Sequence, residues 1–330
     1  MNKWHLNTIR AIFFISGFAA LIYQIAWQRM LFTAFGVDLE SITVIIAVFM
    51  AGLGIGAYFG GRLADKFPQK IILLFALTEV GIGVFGFFSP ILIDLTKLTF
   101  LHSSGVVVAV SNFILLLFPT FLMGSTLPLL TKYLNEYIDN IGNNIGWLYF
   151  VNTLGASSAC IITGFMLFNH LELDQVIYLA ATLNCFVAFI VFILYRNTKK
   201  GSIVVSNELS HFKVDNRIVK KAILLSFLGG FLSLGLEVIW IRLFSLYSSS
   251  IPQAFSLILA LFLLGISFGS LIGKKVCQEG KANLDYVGKI FLLSALLDVV
   301  AILALIYFTS LFVFIFSVVL LALLRGIIFP

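Results

Sequence analysis

Hydrophobic side chains fill ten long stretches of this chain, and short polar segments separate them. Each stretch has about the length that an α-helix needs to cross a hydrocarbon core of ~30 Å. The chain is 61% hydrophobic and only 11% charged, a balance that excludes an ordinary soluble protein. We therefore predict an all-α polytopic membrane protein with about ten transmembrane helices, at residues 11–35, 41–62, 70–93, 105–131, 143–168, 175–195, 221–246, 252–273, 287–307 and 310–330.

Basic residues outside these stretches fall mostly on the same side of the membrane as the N-terminus. The segments on the other side are mainly acidic, with Lys97 as their base. Because cytoplasmic loops are enriched in Lys and Arg, we place the N-terminus in the cytoplasm and the chain in the plasma (inner) membrane. The net charge of +6 then reflects topology, so we expect the lipid bilayer as a partner and no nucleic acid.

The sequence pattern occurs twice, and the repetition includes acids inside the membrane. Residues 70–80 match residues 289–299, which aligns Glu79 with Asp298. Repeats of this kind build many transporters. Two further matches lie in the same order along the chain: residues 16–29 with 229–242, and residues 47–60 with 260–273.

Two parallel repeats and a connector follow from these matches. We predict a first six-helix repeat at residues 1–195, a basic cytoplasmic connector at 196–221, and the first four helices of a second repeat at 222–330. The repeats are parallel because six crossings return the chain to its starting side. Residues 121–128 of helix 4 have their counterpart at 323–330, where the sequence stops. Either the sequence is truncated, or the protein works with ten spans and a partner.

Several charged residues fall within predicted spans, where an unpaired charge costs several kcal/mol. Glu79 and Asp298 lie ~13 Å inside their helices, too deep for their side chains to reach water easily. Arg29 and Arg242 lie near the outer surface and can extend toward it, and Arg325 is a further charge of this kind. The candidate substrate-binding or proton-binding residues are Glu79, Asp298, Glu237, Gln24, Arg29, Arg242, Trp27, Trp240 and Asn152.

Three of these candidates have a simpler structural interpretation. Trp27 and Trp240 lie near the predicted outer interface, where aromatic residues commonly form a belt, and we favour that role over a cation–π contact with an amine. Asn152 belongs to a small, polar face of helix 5, for which we favour interhelical packing over substrate contact.

Glycines recur at every fourth position in two equivalent spans and therefore line one helical face. Such faces allow the backbones of two helices to approach closely. The two repeats could slide against each other on these faces, or the faces could pack statically against a neighbouring helix. The glycines are Gly52, Gly56, Gly60, Gly265, Gly269 and Gly273.

The turn after helix 2 contains Gly61, Asp65, Lys66 and Lys70, with Pro68 between the two lysines. This spacing resembles the cytoplasmic signature loop of the major facilitator superfamily, in which a second glycine stands at the position of Pro68. The resemblance implies that Asp65 and nearby bases form a charge relay that helps to hold one access state. The alternative is an ordinary basic turn.

Six motifs follow one another along the chain, at residues 16–29, 49–56, 61–65, 119–128, 146–155 and 236–242. Together they give the chain, over almost its whole length, a closer resemblance to the membrane half of fused major facilitator/spermidine synthase proteins. The resemblance implies a major-facilitator-like bundle and suggests polyamine-related solutes. This sequence does not contain that family's soluble aminopropyltransferase domain, with its Gly-rich adenosyl-binding loop and catalytic Asp. We therefore assign no catalytic residue and expect no cofactor, and the scattered Cys and His residues predict no metal site.

These observations predict a transporter-like protein for a small polar or cationic solute. In this hypothesis the two repeats rock around a central cavity, across which Glu79 and Asp298 face each other and bind an amine or carry a coupling proton. The alternative is a non-transporting membrane anchor or scaffold for a cytoplasmic aminopropyltransferase. A third hypothesis is that the chain is the anchor of a membrane-bound enzyme.

The topology predicts which engineered cysteines are accessible from outside the cell. A membrane-impermeant thiol reagent should label Asp38→Cys and Glu172→Cys, because both positions lie in predicted outer loops. The same reagent should not label Ser206→Cys in the connector. Labelling of Ser206→Cys from outside would contradict both the topology and the parallel arrangement of the repeats.

Overall fold

The computed structural model describes residues 3–35, 38–100, 103–135, 141–198, 216–247, 253–280, 283–307 and 310–328. Within these ranges the chain is almost entirely helical. The ten principal helices of the described chain are α1 (Lys3–Phe35), α2 (Asp38–Lys66), α3 (Ile71–Thr99), α4 (Gly105–Asn135), α5 (Ile141–Ile162), α6 (Leu173–Thr198), α7 (Asn216–Tyr247), α8 (Ala254–Gln278), α9 (Leu284–Tyr307) and α10 (Leu311–Gly326).

These helices confirm the predicted all-α membrane architecture. Among the described residues, nine helical segments are long and apolar enough to cross a membrane, and Leu311–Gly326 is a shorter apolar helix. Several helices extend beyond their apolar stretches, and α1 already begins at Lys3. The reason is that backbone hydrogen bonding continues outside the hydrocarbon, so hydropathy alone does not mark a helix end. Residues 199–215, which make up most of the predicted connector, lie outside the described residues.

A π-helical turn modifies the end of α5. It spans Thr163–Leu167 and is followed by one further α-helical turn, Phe168–His170. A π-helical turn changes which side chains face a neighbouring helix, and such turns are common at functional positions. This one places Phe168 against α1, where its ring contacts Arg29.

In the first repeat, α2 and α4 pack backbone against backbone. A Cβ atom added at Gly56 would overlap the carbonyl oxygen of Phe121, and one added at Gly124 would overlap the backbone of Leu53. Side chains larger than hydrogen therefore cannot occupy these positions without separating the two helices.

In the second repeat, α8 and α10 make the equivalent contact. A Cβ atom at Gly269 would overlap the carbonyl oxygen of Leu323, and one at Gly326 would overlap the backbone of Ile266. The glycine faces thus pack within each repeat, against its fourth helix, rather than between the repeats. Of the two alternatives left open by the sequence, the structure supports static packing.

The two repeats contact each other through α5 and α8. The Ser157 hydroxyl donates a hydrogen bond to the Ala260 carbonyl oxygen at 2.8 Å, and the Ser267 hydroxyl donates to the Phe150 carbonyl oxygen at 3.1 Å. Small side chains on α5 let these bonds form, and Gly164 lies against Ser256 in the same way. The small, polar face of α5 therefore serves interhelical packing.

The glycine contacts predict a position-specific loss of stability. Gly56→Leu should lower the unfolding temperature of the purified protein, since overpacking typically costs about 1–3 kcal/mol. Gly54→Leu is the matched control, because an added Cβ at Gly54 has no neighbour within 4 Å. Equal unfolding temperatures for the two variants in a detergent-based thermal-shift assay would contradict this packing.

Candidate functional site

Glu79 lies on α3 inside the first repeat and is 0% exposed. Its two carboxylate oxygens accept hydrogen bonds from different helices. The Ser16 hydroxyl of α1 donates to Oε1 at 2.6 Å, and the Asn184 amide of α6 donates through Nδ2 to Oε2 at 2.6 Å. Both donors are neutral, so Glu79 joins three helices of one repeat without an ion pair to either residue.

Two glycines on α3 allow these donors to come close. An added Cβ at Gly83 would lie 2.8 Å from Cys185 Sγ on α6, and one at Gly86 would overlap the Tyr23 ring on α1. The local sequence therefore brings α1 and α6 against α3, and this close approach places Ser16 and Asn184 within reach of Glu79.

Asp298 occupies the equivalent position in the second repeat but has a different partner. Arg325 of α10 donates through Nη2 to both carboxylate oxygens, at 2.8 and 2.7 Å. The Asp298 side chain is 13% exposed and the Arg325 side chain is 7% exposed. The residue that aligns with Arg325 in the first repeat is Met123, which cannot form this pair.

The structure therefore corrects the expected arrangement of the two acids. We expected Glu79 and Asp298 to face each other across the axis between the repeats. Instead, the oxygens of Glu79 bind donors of the first repeat, and those of Asp298 bind a base of the second. The physical reason is that a carboxylate at this depth is stabilised by the nearest donor, and both repeats supply one internally.

Gln24 and Glu237 are a second pair of aligned residues, on α1 and α7. Each side chain is only 3% exposed. The Nε2 atom of Gln24 and the Oε1 atom of Glu237 are buried and have no hydrogen-bond partner within the described residues. Glu237 lies close enough to α5 to interact electrostatically with Tyr149 and Cys160. Glu237 is thus a buried acid, one oxygen of which has no hydrogen-bond partner within the described part of the chain.

Trp27 and Trp240 belong to the protein interior and not to an interfacial belt, which corrects our interpretation. They are 0% and 1% exposed. The Trp27 indole nitrogen donates to the Ser89 hydroxyl at 2.9 Å, whereas the Trp240 Nε1 atom has no partner within the described residues. Hydropathy could not distinguish the two locations, because an aromatic residue at the same height can face lipid or neighbouring helices.

Three further candidates lie on three different helices: Arg29 on α1, Arg242 on α7 and Asn152 on α5. The Arg29 guanidinium is 3.8 Å from the centre of the Phe168 ring, and Arg242 is exposed on α7. Asn152 packs on α1, where a Cβ added at Gly17 would overlap its side chain. This contact agrees with a packing role for Asn152.

The signature loop lies at the end of α2 on the N-terminal side of the membrane, by which we mean the side on which α1 begins. Asp65 accepts a hydrogen bond from the Lys132 ammonium group of α4 at 2.8 Å. Lys66 lies 5.5 Å from the centre of the Phe67 ring, and the short helix Pro68–Lys70 follows. The ion pair links α2 to α4, the helices that the glycines also hold together.

Sequence reasoning missed the partners of the acids. Ser16 and Asn184 are ordinary polar residues, and nothing in their local sequence marks them as donors to Glu79. The sequence does contain a sign that Arg325 is the partner of Asp298. The alignment of the repeats shows a base at Arg325 where the first repeat has Met123, and this base lies in the apolar stretch that directly follows the one with Asp298.

The Asp298–Arg325 pair predicts a compensation experiment. Asp298→Asn alone should destabilise the protein by about 3–5 kcal/mol, since it leaves a largely buried guanidinium without its counter-charge. Combining it with Arg325→Met, the residue of the first repeat, should restore part of the unfolding temperature in a thermal-shift assay. A double variant that is less stable than both single variants would contradict the pairing.

Comparison with known proteins agrees with this fold. Residues 11–330 match the family described as Major Facilitator Superfamily. A polyamine aminopropyltransferase from Oceanobacillus iheyensis is 23% identical over 215 residues, which make up 62% of this chain and 39% of that protein. The match thus spans less than half of the relative's length. Both findings agree with the resemblance to fused major facilitator/spermidine synthase proteins.

Proposed function

This chain belongs to the major facilitator superfamily and is an integral membrane protein of transporter-like fold, and we propose that it binds and moves a small cationic solute through a site that contains Glu237. The observation that carries this proposal is the Oε1 atom of Glu237, which has no hydrogen-bond partner among the described residues and belongs to a residue that is 3% exposed. A carboxylate in this environment is stabilised by a cation or a proton.

The other two buried acids support this choice by contrast. Each oxygen of Glu79 accepts a hydrogen bond from Ser16 or Asn184, and Asp298 is neutralised by Arg325. A solute would have to displace these partners in order to bind. We therefore propose that Glu79 and Asp298 mainly hold their own repeats together, and that Glu237 provides the negative charge for the solute.

The residues around Glu237 suit a binding site between the repeats. Tyr149 and Cys160 of α5 lie within its electrostatic reach, and α5 is the helix that contacts the second repeat through α8. Gln24 occupies the aligned position on α1, and its Nε2 atom also has no hydrogen-bond partner in the described ranges. In the proposed mechanism the repeats rock against each other at the α5–α8 contact, and Glu237 is exposed to one side of the membrane at a time.

The solute class follows from charge and from the relative. A polyamine is a hydrocarbon chain that carries several protonated amino groups. A carboxylate inside a membrane protein is a suitable partner for one of these ammonium groups. The name of the Oceanobacillus iheyensis relative refers to a polyamine. We therefore propose a polyamine-like cation as the solute, in a plasma membrane protein whose N-terminus is cytoplasmic. The Asp65–Lys132 pair would stabilise one access state.

A second candidate function is a membrane scaffold for a cytoplasmic aminopropyltransferase. The specific observation in its favour is that the relative is itself named for that activity, whereas the match covers only 39% of it. In this alternative the chain would bind the enzyme and would not transport a solute.

Uptake into proteoliposomes tests the proposal. The wild-type protein should accumulate radiolabelled spermidine. Glu237→Gln removes the charge and keeps the shape of the side chain, so it should lower uptake at least about tenfold. A tenfold change corresponds to the loss of about 1.4 kcal/mol of binding free energy. Glu172→Gln is the control, since Glu172 is exposed at a helix end. Spermidine uptake by Glu237→Gln at the wild-type rate would overturn the site. Absence of uptake together with co-purified aminopropyltransferase activity would favour the scaffold.

A further inference from the structure

Two cations, one from each repeat, contact the same indole ring. The Arg10 guanidinium of α1 lies 4.6 Å from the centre of the Trp147 ring, and the Lys274 ammonium group of α8 lies 4.7 Å from it. Trp147 belongs to α5 near its first residue, and Lys274 is near the last residue of α8. The cluster of Arg10, Trp147 and Lys274, which we call the basic cluster, therefore lies at the N-terminal side of the contact between the repeats.

Among the residues that the structure describes, no ion pair joins Arg10 or Lys274 to a carboxylate. The Arg10 guanidinium and the Lys274 ammonium group both lie within 5 Å of the centre of the Trp147 ring, and Lys275 is the next residue of α8. The ion pairs among the described residues that involve Asp65, Asp285 and Asp298 are formed with other bases. Cation–π contacts with Trp147 stabilise each charge but do not remove the repulsion between them.

Two buried donors in the basic cluster also lack an acceptor. The Nε atom of Arg10 and the Nε1 atom of Trp147 have no hydrogen-bond partner within the described residues. A second nitrogen of Arg10 donates to the Asn7 side chain at 3.3 Å. An N–H group that is shielded from water needs an acceptor, and neighbouring cations favour an acceptor with negative charge. The cluster is therefore suited to bind an anion that accepts hydrogen bonds.

We propose that the basic cluster is a binding site for a phosphate group. Guanidinium and ammonium groups are the side chains that bind phosphate, and the indole N–H supplies a further donor. The phosphate would come from a lipid headgroup or from a soluble phosphate ester. It would bridge α1 and α5 of the first repeat to α8 of the second, next to the Gln278–Asn143 hydrogen bond at 3.0 Å.

This site is distinct from the proposed solute site. Arg10 precedes Gln24, the residue of the first repeat that aligns with Glu237, by 14 residues on one continuous helix, a separation of ~21 Å along α1. Neutralising the cluster with an anion would lower the barrier that its positive charge presents to a cation, but the binding of phosphate does not depend on transport. Its test can therefore fail or succeed independently of spermidine uptake.

Thermal unfolding in lipid nanodiscs tests the proposal and separates the two sources of phosphate. In nanodiscs of phosphatidylcholine, titration with inorganic phosphate against chloride at constant ionic strength should raise the unfolding temperature if the site takes a soluble phosphate. If it takes a lipid headgroup, replacing part of the phosphatidylcholine with phosphatidylglycerol should raise the unfolding temperature instead.

Two variants and a control assign the response to the basic cluster. Lys274→Gln should raise the half-saturating concentration of phosphate or phosphatidylglycerol at least about tenfold, as expected for loss of one charge-assisted contact. Trp147→Phe keeps an aromatic ring but removes the indole N–H donor and should weaken binding as well, which provides a test if Lys274→Gln does not fold. Lys289→Gln is the control, because Lys289 is exposed and paired with Asp285. No stabilisation by either anion, or equal stabilisation of both variants and the wild type, would overturn the site and leave a cation–π contact between the repeats.

Discussion

Water is absent from the interior of a lipid bilayer, so each polar side chain there needs a partner supplied by the protein itself. The arrangement of this chain follows from that constraint. Glu79 binds Ser16 and Asn184, and Asp298 binds Arg325. Glu79 connects α3 to α1 and α6, and Asp298 connects α9 to the next helix, α10, so each acid stabilises helix contacts within its own repeat. Glu237 has a buried oxygen without a hydrogen-bond partner among the described residues, and we propose it as the position at which a mobile cation or proton is stabilised.

The two repeats satisfy the same constraint by different means. The glycine contacts are duplicated, since Gly56 with Gly124 and Gly269 with Gly326 close equivalent helix pairs. The partners of the two acids differ, because the first repeat has Met123 at the position where the second repeat has Arg325. The first repeat stabilises its acid with neutral donors, and the second uses an ion pair. An internal repeat thus preserves backbone packing while its polar chemistry diverges, which gives the two halves different electrostatic properties.

The amino-acid sequence alone predicts the class of fold, the approximate helices, the repeat and the residues that need partners. Hydropathy is sufficient for the helices, and the depth of Glu79 is sufficient to show that it needs a donor. The donors themselves could not be predicted, because Ser16 and Asn184 are 63 and 105 residues away from Glu79. The interior location of Trp27 was missed because lipid and protein interior are equally apolar. The glycine pattern predicted close helix contacts correctly but did not identify α4 and α10 as the partners.

We propose that two of the buried acids, Glu79 and Asp298, stabilise the fold and that the third, Glu237, binds the solute. The most direct test measures unfolding temperature and equilibrium spermidine binding on the same nanodisc preparations of Glu237→Gln and Asp298→Asn. We expect Glu237→Gln to lose spermidine binding and to retain or gain stability, because it removes a buried carboxylate oxygen that has no hydrogen-bond partner among the described residues. Asp298→Asn should lose stability, while the folded fraction should still bind spermidine. The opposite pattern, with binding lost only in Asp298→Asn and stability lost only in Glu237→Gln, would contradict the account.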